Sequence, residues 1–264
     1  MDIFSLETGH APLLVSLPHD GSFIPDALRQ RMVPSAHAAP DTDWHVSRLY
    51  AFARGLGASI LRPSHSRYVV DLNRPPDDVS LYPGQNTTGL CPDVQFSGES
   101  VYLAGQTPSA DEIAQRRETY WWPYHDALSA ELARLRARHP RVLLWDGHSI
   151  RGQLPYLFEG RLPDLNLGTA SGHSCAPDLQ AELAQVLQGA NRYSHVVNGR
   201  FKGGYITRHY GQPASGVHAV QLELAQATYM DEAGTEYAPE RAEQLQNQVL
   251  EPLLSAALAW VEGA

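Results

Sequence analysis

The order of apolar and polar stretches along the chain predicts strands separated by helices. Apolar runs at residues 11–19, 141–146 and 217–226 are typical of buried strands. Residues 41–57 carry apolar side chains at approximate helical spacing, and residues 238–261 predict a closing helix. Strands that alternate with helices indicate an α/β fold with a mixed, mostly parallel sheet flanked by helices.

Shorter patterns add further elements. Ser109 and Glu112 form a capping-box pattern that opens a helix reaching about residue 137, with a kink or break at Pro123. The other predicted elements are a helix at 177–187 and strands at 58–64, 66–74, 165–169 and 193–199. Residues 75–108 form a long excursion, which is uncommon in a compact domain unless it serves a site.

Composition narrows the class of protein. With 264 residues, 43% of them hydrophobic and 19% charged, the chain suits one soluble globular domain spanning residues 1–264. The net charge of −9 argues against a nucleic acid or an anionic membrane as the main partner. The sequence has no apolar run of about 20 residues and no signal-peptide pattern. Cys91 and Cys175 lack CxxC spacing, so we expect a cytoplasmic location, while the oligomeric state stays open.

Polar clusters fall at the predicted strand ends, where open α/β sheets bind ligands. They are SLPHDGS, VVDLNRP, WDGHS and QLELAQ, with PDTDWH at the start of a predicted helix. The stretch GHSIRG resembles the G-x-S-x-G nucleophile elbow around Ser149, but Arg151 occupies the second glycine position. A bulky side chain there would crowd the helix against the strand, which disfavours a serine hydrolase.

The same clusters suit a metal site better. A catalytic Zn²⁺ takes three protein ligands and keeps a position for water. His19 and His148, predicted in glycine-containing loops after apolar strands, are candidate ligands. Asp43 or Asp41 could supply a carboxylate, although Asp41 is also a candidate helix N-cap. Asp146 could orient a ligand through a hydrogen bond.

Two further features could serve a substrate. Glu223 shares one face of its predicted strand with Gln221 and Ala219. It could be exposed on an edge strand, or it could be buried and act as a general base of raised pKa. Residues 198–211 contain no acidic residue, and their cations are Arg200, Lys202, Arg208 and His209. In an acidic chain, this favours binding of a carboxylate or phosphate over a merely solvated loop, and Arg67 and Arg74 add two guanidinium groups.

Taken together, the motifs SLPHDG, DTDWHVSRLY, SRYVVDLNRP, WDGHSI, NGRFKGGYITRHYG and LELAQATYM resemble the N-formylglutamate amidohydrolase (N-formylglutamate deformylase) family. The resemblance implies hydrolysis of N-formyl-L-glutamate to formate and L-glutamate in histidine degradation. It also implies a phosphorylase/hydrolase-like fold related to zinc carboxypeptidases and aspartoacylase.

The resemblance further implies roles for individual residues. His19, Asp43 and His148 would hold Zn²⁺ or another divalent metal. Asp41 is the alternative carboxylate, because Ser22 stands where the HxxE motif of zinc carboxypeptidases has its acid. Glu223 would be the general base and Arg67 the oxyanion donor. The implied substrate-binding residues are Asn73, Arg74, Tyr205, Thr207 and Arg208.

Two alternatives stay open at this point. One is an amidohydrolase for another N-acyl amino acid, such as an N-acyl aspartate. The other is a metal-free dicarboxylate-binding protein without turnover. Metal content and substrate profile separate them from the N-formylglutamate hydrolase.

Overall fold

A mixed sheet runs through the computed structural model, which describes residues 2–81 and 83–263. Its strands are β1 (Phe4–Glu7), β2 (Leu13–Ser16), β3 (Ser59–Pro63), β4 (Val142–Ile150), β5 (Leu165–Gly168), β6 (His195–Val197) and β7 (Val217–Ala225). Their order across the sheet is β1-β3-β2-β4-β7-β5-β6. The central strands β3, β2, β4 and β7 are mutually parallel, while β1 and β5 pair antiparallel with β3 and β7. The predicted α/β fold with a mixed sheet is confirmed.

The helices cover both faces of this sheet. They are α1 (Asp26–Arg29), α2 (Val46–Leu49), α3 (Ala110–Arg116), α4 (Trp122–Arg136), α5 (Pro177–Gly189), α6 (Tyr205–Tyr210), α7 (Pro239–Leu245) and α8 (Glu251–Glu262). Two π-helical segments, Arg117–Trp121 and Gln246–Leu250, join α3 to α4 and α7 to α8. Each precedes a helix with proline in its first turn, where the missing N–H is tolerated, so the irregularity predicted at Pro123 takes the form of a π turn.

Alternation along the strands produces two apolar layers. On β4, Leu143 and Trp145 face one layer, which contains the buried sides of α5 and α8. Val142 and Leu144 face the other layer, which contains the buried side of α4. Since Asp146 and His148 continue the Val142–Leu144 face, they lie on the α4 side of the sheet.

Several predicted elements differ from the structure. The strand predicted at 66–74 is wrong, because Tyr68 and Val69 lie in a buried turn and Val70 belongs to no strand. The helix predicted at 41–57 reduces to α2 and a 3₁₀ turn at Ala51–Arg54, and the residue that precedes α2 is His45, with φ 63°. The N-cap role for Asp41 is therefore wrong. Strand β1, which the pattern analysis did not predict, adds an antiparallel edge.

The described residues also bear on two expectations from composition. Within 2–81 and 83–263, every helix is too short or too polar to cross a bilayer. Cys91 and Cys175 are both buried free thiols.

Candidate active site

Strand β4 carries part of the site within its own length. It continues to Ile150, so His148 lies inside a buried strand rather than in the predicted loop. Gly147 lets Leu17 pack directly on this strand, since a Cβ there would lie 2.7 Å from Cδ2 of Leu17. His19, by contrast, follows β2 in a loop, as predicted.

Glu223 lies beside His148 because of the strand register. Strands β4 and β7 are parallel neighbours, and His148 is the register partner of Glu223. Strand β7 lies between β4 and β5, and Glu223 is only 7% exposed, so the exposed-edge interpretation is wrong. Its strand neighbours Gln221 and Ala219 share its face, as predicted.

Three buried side chains converge in front of this register pair. Nδ1 of His19 and Nδ1 of His148 are 3.1 Å apart. Oδ2 of Asp43 lies 3.1 Å from Nδ1 of His148 and 3.7 Å from Nδ1 of His19. The ligand atoms of the three residues lie within 4.8 Å of one another, so the cluster could hold a metal ion.

A second carboxylate stands behind each imidazole. Nε2 of His19 is 2.7 Å from Oδ1 of Asp71, and Nε2 of His148 is 3.0 Å from Oδ1 of Asp146. Nε2 of His148 is also 2.9 Å from Nδ2 of Asn73. These contacts orient both imidazoles with Nδ1 towards Asp43, the side at which a metal would bind. The donor chemistry of His19, Asp43 and His148 therefore fits a divalent cation.

The electrostatics of the cluster follow from burial and charged neighbours. Burial alone would raise the pKa of Asp43, but hydrogen bonds from His148 and His19 and the charges of His19 and Arg67 outweigh it and lower this pKa. Burial would lower the pKa of His148, yet Asp146 and Asp43 hold it well above its usual range. Burial raises the pKa of Glu223 to about 8, against the opposing charges of His148 and Arg67. Glu223 is thus a carboxyl suited to exchange a proton near neutral pH.

Arg67 is buried against the same cluster. Its Nη2 lies 2.6 Å from Nδ1 of His19 and 3.4 Å from Oδ2 of Asp71. The guanidinium carbon stands 4.8 Å from the centre of the Phe96 ring. This position gives the cavity a fixed positive charge beside the imidazoles.

One cavity joins these groups to the solvent. His19, Asp43, Arg67, His148 and Glu223 line it, and the walls also include Asn73, Arg74, Gln85, Asn86, Thr87, Thr88, Phe96, Ser149, Ile150, Leu157, Arg200, Phe201, Gly204 and Gln221. The excursion predicted at 75–108 therefore supplies part of the wall, with Nη2 of Arg74 donating to Oγ1 of Thr88.

Three of the predicted substrate-binding residues lie elsewhere. The cavity wall, as far as the described residues form it, does not include Tyr205, Thr207 or Arg208. Thr207 is buried and donates to Oδ2 of Asp146. Tyr205 stacks on His209, and Nε of exposed Arg208 donates to the carbonyl of Gly203.

Sequence reasoning missed two functional candidates. Asp71, which contacts His19, lies in the segment that was predicted to be a strand. Its position four residues after Arg67 and three before Arg74 was the signal that could have found it. Gln221 lines the cavity, and its Oε1 accepts from the N–H of Gly204 at 2.7 Å. Its position two residues before Glu223 on the same face was the signal there.

Ser149 occupies the opposite face of β4 and lacks the strained turn of a nucleophile elbow. Its Oγ is 2.7 Å from the Tyr229 hydroxyl, which donates to it, and its N–H donates to Oδ2 of Asp43. Ser149 thus helps to fix Asp43.

Two imidazoles and a carboxylate, with a further carboxyl of raised pKa beside them, form the donor set typical of metal-dependent hydrolases. Comparison with known proteins narrows this class. The chain belongs to the N-formylglutamate amidohydrolase family, whose pattern matches residues 11–230.

Relatives within the family span nearly the whole chain. A Pseudomonas aeruginosa protein named N-formylglutamate deformylase is 54% identical over 260 residues, which cover 98% of this chain and 97% of that protein. A Pseudomonas putida protein of the same name is 52% identical over 258 residues, covering 98% and 96%.

Solved structures share the fold. The crystal structure of an N-formylglutamate amidohydrolase from Ralstonia eutropha superposes with a TM-score of 0.83 at 24% identity and covers 99% of both chains. A gene product of Agrobacterium tumefaciens gives a TM-score of 0.69 at 17% identity and covers 97% of this chain and 96% of that one.

Proposed function

We propose that this chain hydrolyses N-formyl-L-glutamate to formate and L-glutamate, in one catalytic domain spanning residues 1–264. The observation that carries the proposal is the buried convergence of His19, Asp43 and His148 beside Glu223. Two relatives named N-formylglutamate deformylase, each more than half identical to this chain, support the choice of substrate.

The cluster formed by His19, Asp43 and His148 would hold one divalent metal ion, with Zn²⁺ the ion that this N,N,O donor set favours. Such an ion supplies Lewis acidity, which lowers the pKa of water and polarises a carbonyl group. Asp71 and Asp146 lie beside Nε2 of the two imidazoles and would hold the rings with Nδ1 towards the metal.

The residues of the chain account for the proton transfers. Glu223 takes a proton from the attacking water as the water oxygen adds to the formyl carbon. Arg67 stabilises the negative charge that develops on the formyl oxygen. Glu223 then delivers the proton to the amide nitrogen as the carbon–nitrogen bond breaks, which releases formate and the amine of L-glutamate.

The substrate also brings two carboxylates into the cavity. Asn73 and Arg74, both in the wall, are candidates to bind one of them. Arg208 would need to exchange its bond to the Gly203 carbonyl for a substrate contact. Thr207 would act through Asp146, and Tyr205 through the aromatic packing around α6.

Two broader expectations belong to the same proposal. Kinship with zinc carboxypeptidases and aspartoacylase is supported by the pair of imidazoles and the carboxylate in the cluster. A cytoplasmic, reducing location is supported by two buried cysteines that form no disulfide.

The test is formate release from N-formyl-L-glutamate by protein loaded with Zn²⁺, and again after chelation. Release that stops on chelation and returns with Zn²⁺ is the expected result. If the zinc-loaded protein released formate only from other N-formyl amino acids, the proposed substrate would be wrong. Folded protein that binds L-glutamate without turnover would favour a dicarboxylate-binding protein.

A further inference from the structure

A buried glutamine amide borders the cavity beside Glu223. Gln221 is only 4% exposed and lines the cavity, and it precedes Glu223 by two residues on the same face of β7. Its Oε1 accepts from the N–H of Gly204 at 2.7 Å. A flipped amide would set its NH2 group against that N–H, so this bond leaves Nε2 as the group that can meet a ligand.

The neighbouring strands do not occupy the Nε2 group of Gln221. Its register partners are Asp146 on β4 and Gly168 on β5. Gly168 has no side chain, and Oδ1 of Asp146 already lies 3.0 Å from Nε2 of His148. In the described part of the chain, Nε2 of Gln221 has no hydrogen-bond partner. Donors in buried side chains are rarely left in this state, so its position at a cavity points to a ligand.

The backbone turn that holds Gln221 is itself fixed. Oδ1 of Asn73 accepts from the N–H of Ile206 at 2.8 Å, two residues after Gly204. A Cβ on Gly204 would lie 2.4 Å from Nδ2 of Asn73, so glycine at this position lets Asn73 and Gln221 both reach the backbone. The Gln221 amide is therefore held in place before a substrate arrives, which lowers the entropic cost of binding.

The spacing along β7 selects the part of the substrate that this donor can reach. Gln221 and Glu223 have side chains of equal length, so their polar ends are about 7 Å apart. In the proposed reaction Glu223 meets the substrate nitrogen. Hydrogen bonds of about 2.9 Å at both ends then leave about 3 Å, along a bent path, between that nitrogen and the accepting oxygen. An α-carboxylate oxygen lies about 3 Å from the nitrogen, whereas an extended side chain puts the other carboxylate about 5 Å away.

We propose that Gln221 is a substrate-binding residue whose Nε2 donates a hydrogen bond to the α-carboxylate of N-formyl-L-glutamate. This inference rests on the proposed function. A neutral amide fixes the direction of the carboxylate without adding charge to a cavity that Arg67 and Arg74 already line. An N-formyl amine without an α-carboxylate would leave this buried donor unpaired, so Gln221 selects N-formyl amino acids over such amines.

The test compares three N-formyl compounds. N-formyl-L-glutamate has both carboxylates, N-formyl-γ-aminobutyrate lacks only the α-carboxylate, and N-formyl-L-norvaline has a methyl group in place of the side-chain carboxylate. We expect Gln221→Met to lower kcat/KM about 30-fold for the two compounds with an α-carboxylate and less than about 3-fold for N-formyl-γ-aminobutyrate. Where hydrolysis is too slow to measure, the inhibition constant against N-formyl-L-glutamate gives the same comparison.

Two results would overturn the proposal. Equal losses on all three compounds would mean that Gln221 only supports the backbone at Gly204. A loss that spares N-formyl-L-norvaline but not N-formyl-γ-aminobutyrate would place the donor at the side-chain carboxylate. Gln221→Glu is the second variant, because it keeps an oxygen for the N–H of Gly204. Its loss should again be confined to the two compounds with an α-carboxylate.

Gln246→Met is the matched control. Gln246 also donates through Nε2, to the carbonyl of Leu49 at 2.7 Å, but it lies in the π-helical segment that joins α7 to α8. We expect it to leave the ratios among the three compounds unchanged, and the same change of ratio in this control would overturn the proposal.

Calorimetric titration with N-formyl-L-glutamate separates this inference from the proposed function. Wild-type protein that hydrolyses the compound, together with a fully active Gln221→Met variant, would refute the Gln221 contact and leave the hydrolase intact. Wild-type protein that releases no formate, but binds the compound more tightly than Gln221→Met does, would refute the hydrolase and leave the contact intact.

Discussion

Asp41 and Asp43 lie two residues apart and are both buried, yet they serve different parts of the molecule. Oδ2 of Asp41 accepts hydrogen bonds from the Tyr68 hydroxyl at 2.7 Å and from the N–H of Phe96 at 2.8 Å. Oδ2 of Asp43 faces His148 and accepts from the N–H of Ser149. Asp41 therefore fastens the 75–108 excursion to the domain, whereas Asp43 belongs to the candidate metal cluster.

Their pKa values move in opposite directions for a physical reason. Burial raises the pKa of Asp41, and its hydrogen bonds from Tyr68 and Phe96, with the charges of Arg67 and Arg151, only partly oppose this. At Asp43 the neighbouring imidazoles and Arg67 overcome the same effect. Burial alone thus does not identify a functional carboxylate, because the charge of its partners decides whether it stays ionised.

The largest effect should come from removing the charge of Asp43. We expect Asp43→Asn to lower kcat/KM on N-formyl-L-glutamate by about 10³-fold or more, because metal and imidazole positioning are lost together. Bound metal, measured by elemental analysis, should fall in parallel. Asp41→Asn is the matched control and should keep its metal and at least about a fifth of its activity. The reverse pattern would assign the ligand to Asp41.

Glu223→Gln should lower kcat by about 10³-fold while leaving bound metal unchanged, because only the proton acceptor is removed. Glu131→Gln offers a control at another buried glutamate, which bonds to Ser59 and Arg134. Steady-state kinetics with metal analysis checks both variants. Wild-type kcat in Glu223→Gln would exclude Glu223 as the base.

Metal binding should weaken as the pH falls. In the metal-free protein Asp146 and Asp43 outweigh burial and raise the pKa of His148 well above its usual range, while burial raises that of Glu223 to about 8. A metal needs His148 unprotonated, and each displaced proton weakens affinity about tenfold per pH unit on the acid side of that pKa. Calorimetry in buffers of different protonation enthalpy counts the protons. Affinity that does not change between pH 6 and pH 8 would contradict this expectation.

The smallest effect concerns the Asp41 contacts. We expect Asp41→Asn to change the free energy of unfolding at pH 7 by less than about 1 kcal/mol, because an amide oxygen can accept the same hydrogen bonds, whereas Asp41→Ala should cost about 2 kcal/mol. Because the folded-state pKa of Asp41 is raised, its protonation stabilises the wild type at low pH, and this contribution is lost as the pH rises through the folded-state value. Urea unfolding at pH 5 and pH 7 should show that the free energy of unfolding of the wild type rises relative to that of Asp41→Asn at the lower pH.

Much of the centre was predictable because the carboxyl ends of parallel strands meet at one edge of a sheet. His19, His148 and Glu223 lie on or just after β2, β4 and β7, and the structure brings them together with Asp43. The choice between Asp41 and Asp43 depended on what faces each carboxylate, which no local pattern encodes.

Other features depended on tertiary contacts. The β-branched residues Val69 and Val70 suggested a strand, but the chain turns there, and Asp71 and Asn73 reach His19 and Asp146. Strand β1 is an edge of only four residues, Phe4–Glu7, too short for its alternation to predict a strand, so its pairing with β3 decides its conformation. Arg200 lines the cavity whereas Arg208 bonds to the Gly203 carbonyl, and this difference depends on how their segment folds, which the sequence alone does not show.

The register between β4 and β7 has a consequence for how this enzyme can change over generations. The backbone ladder, rather than any side-chain packing, sets His148 beside Glu223. Apolar residues of these strands can be exchanged for others of similar volume without moving that pair. A single-residue insertion or deletion within β7 before Glu223 would turn the carboxylate to the opposite face of the sheet. We therefore expect these strands to tolerate many replacements and almost no changes in length.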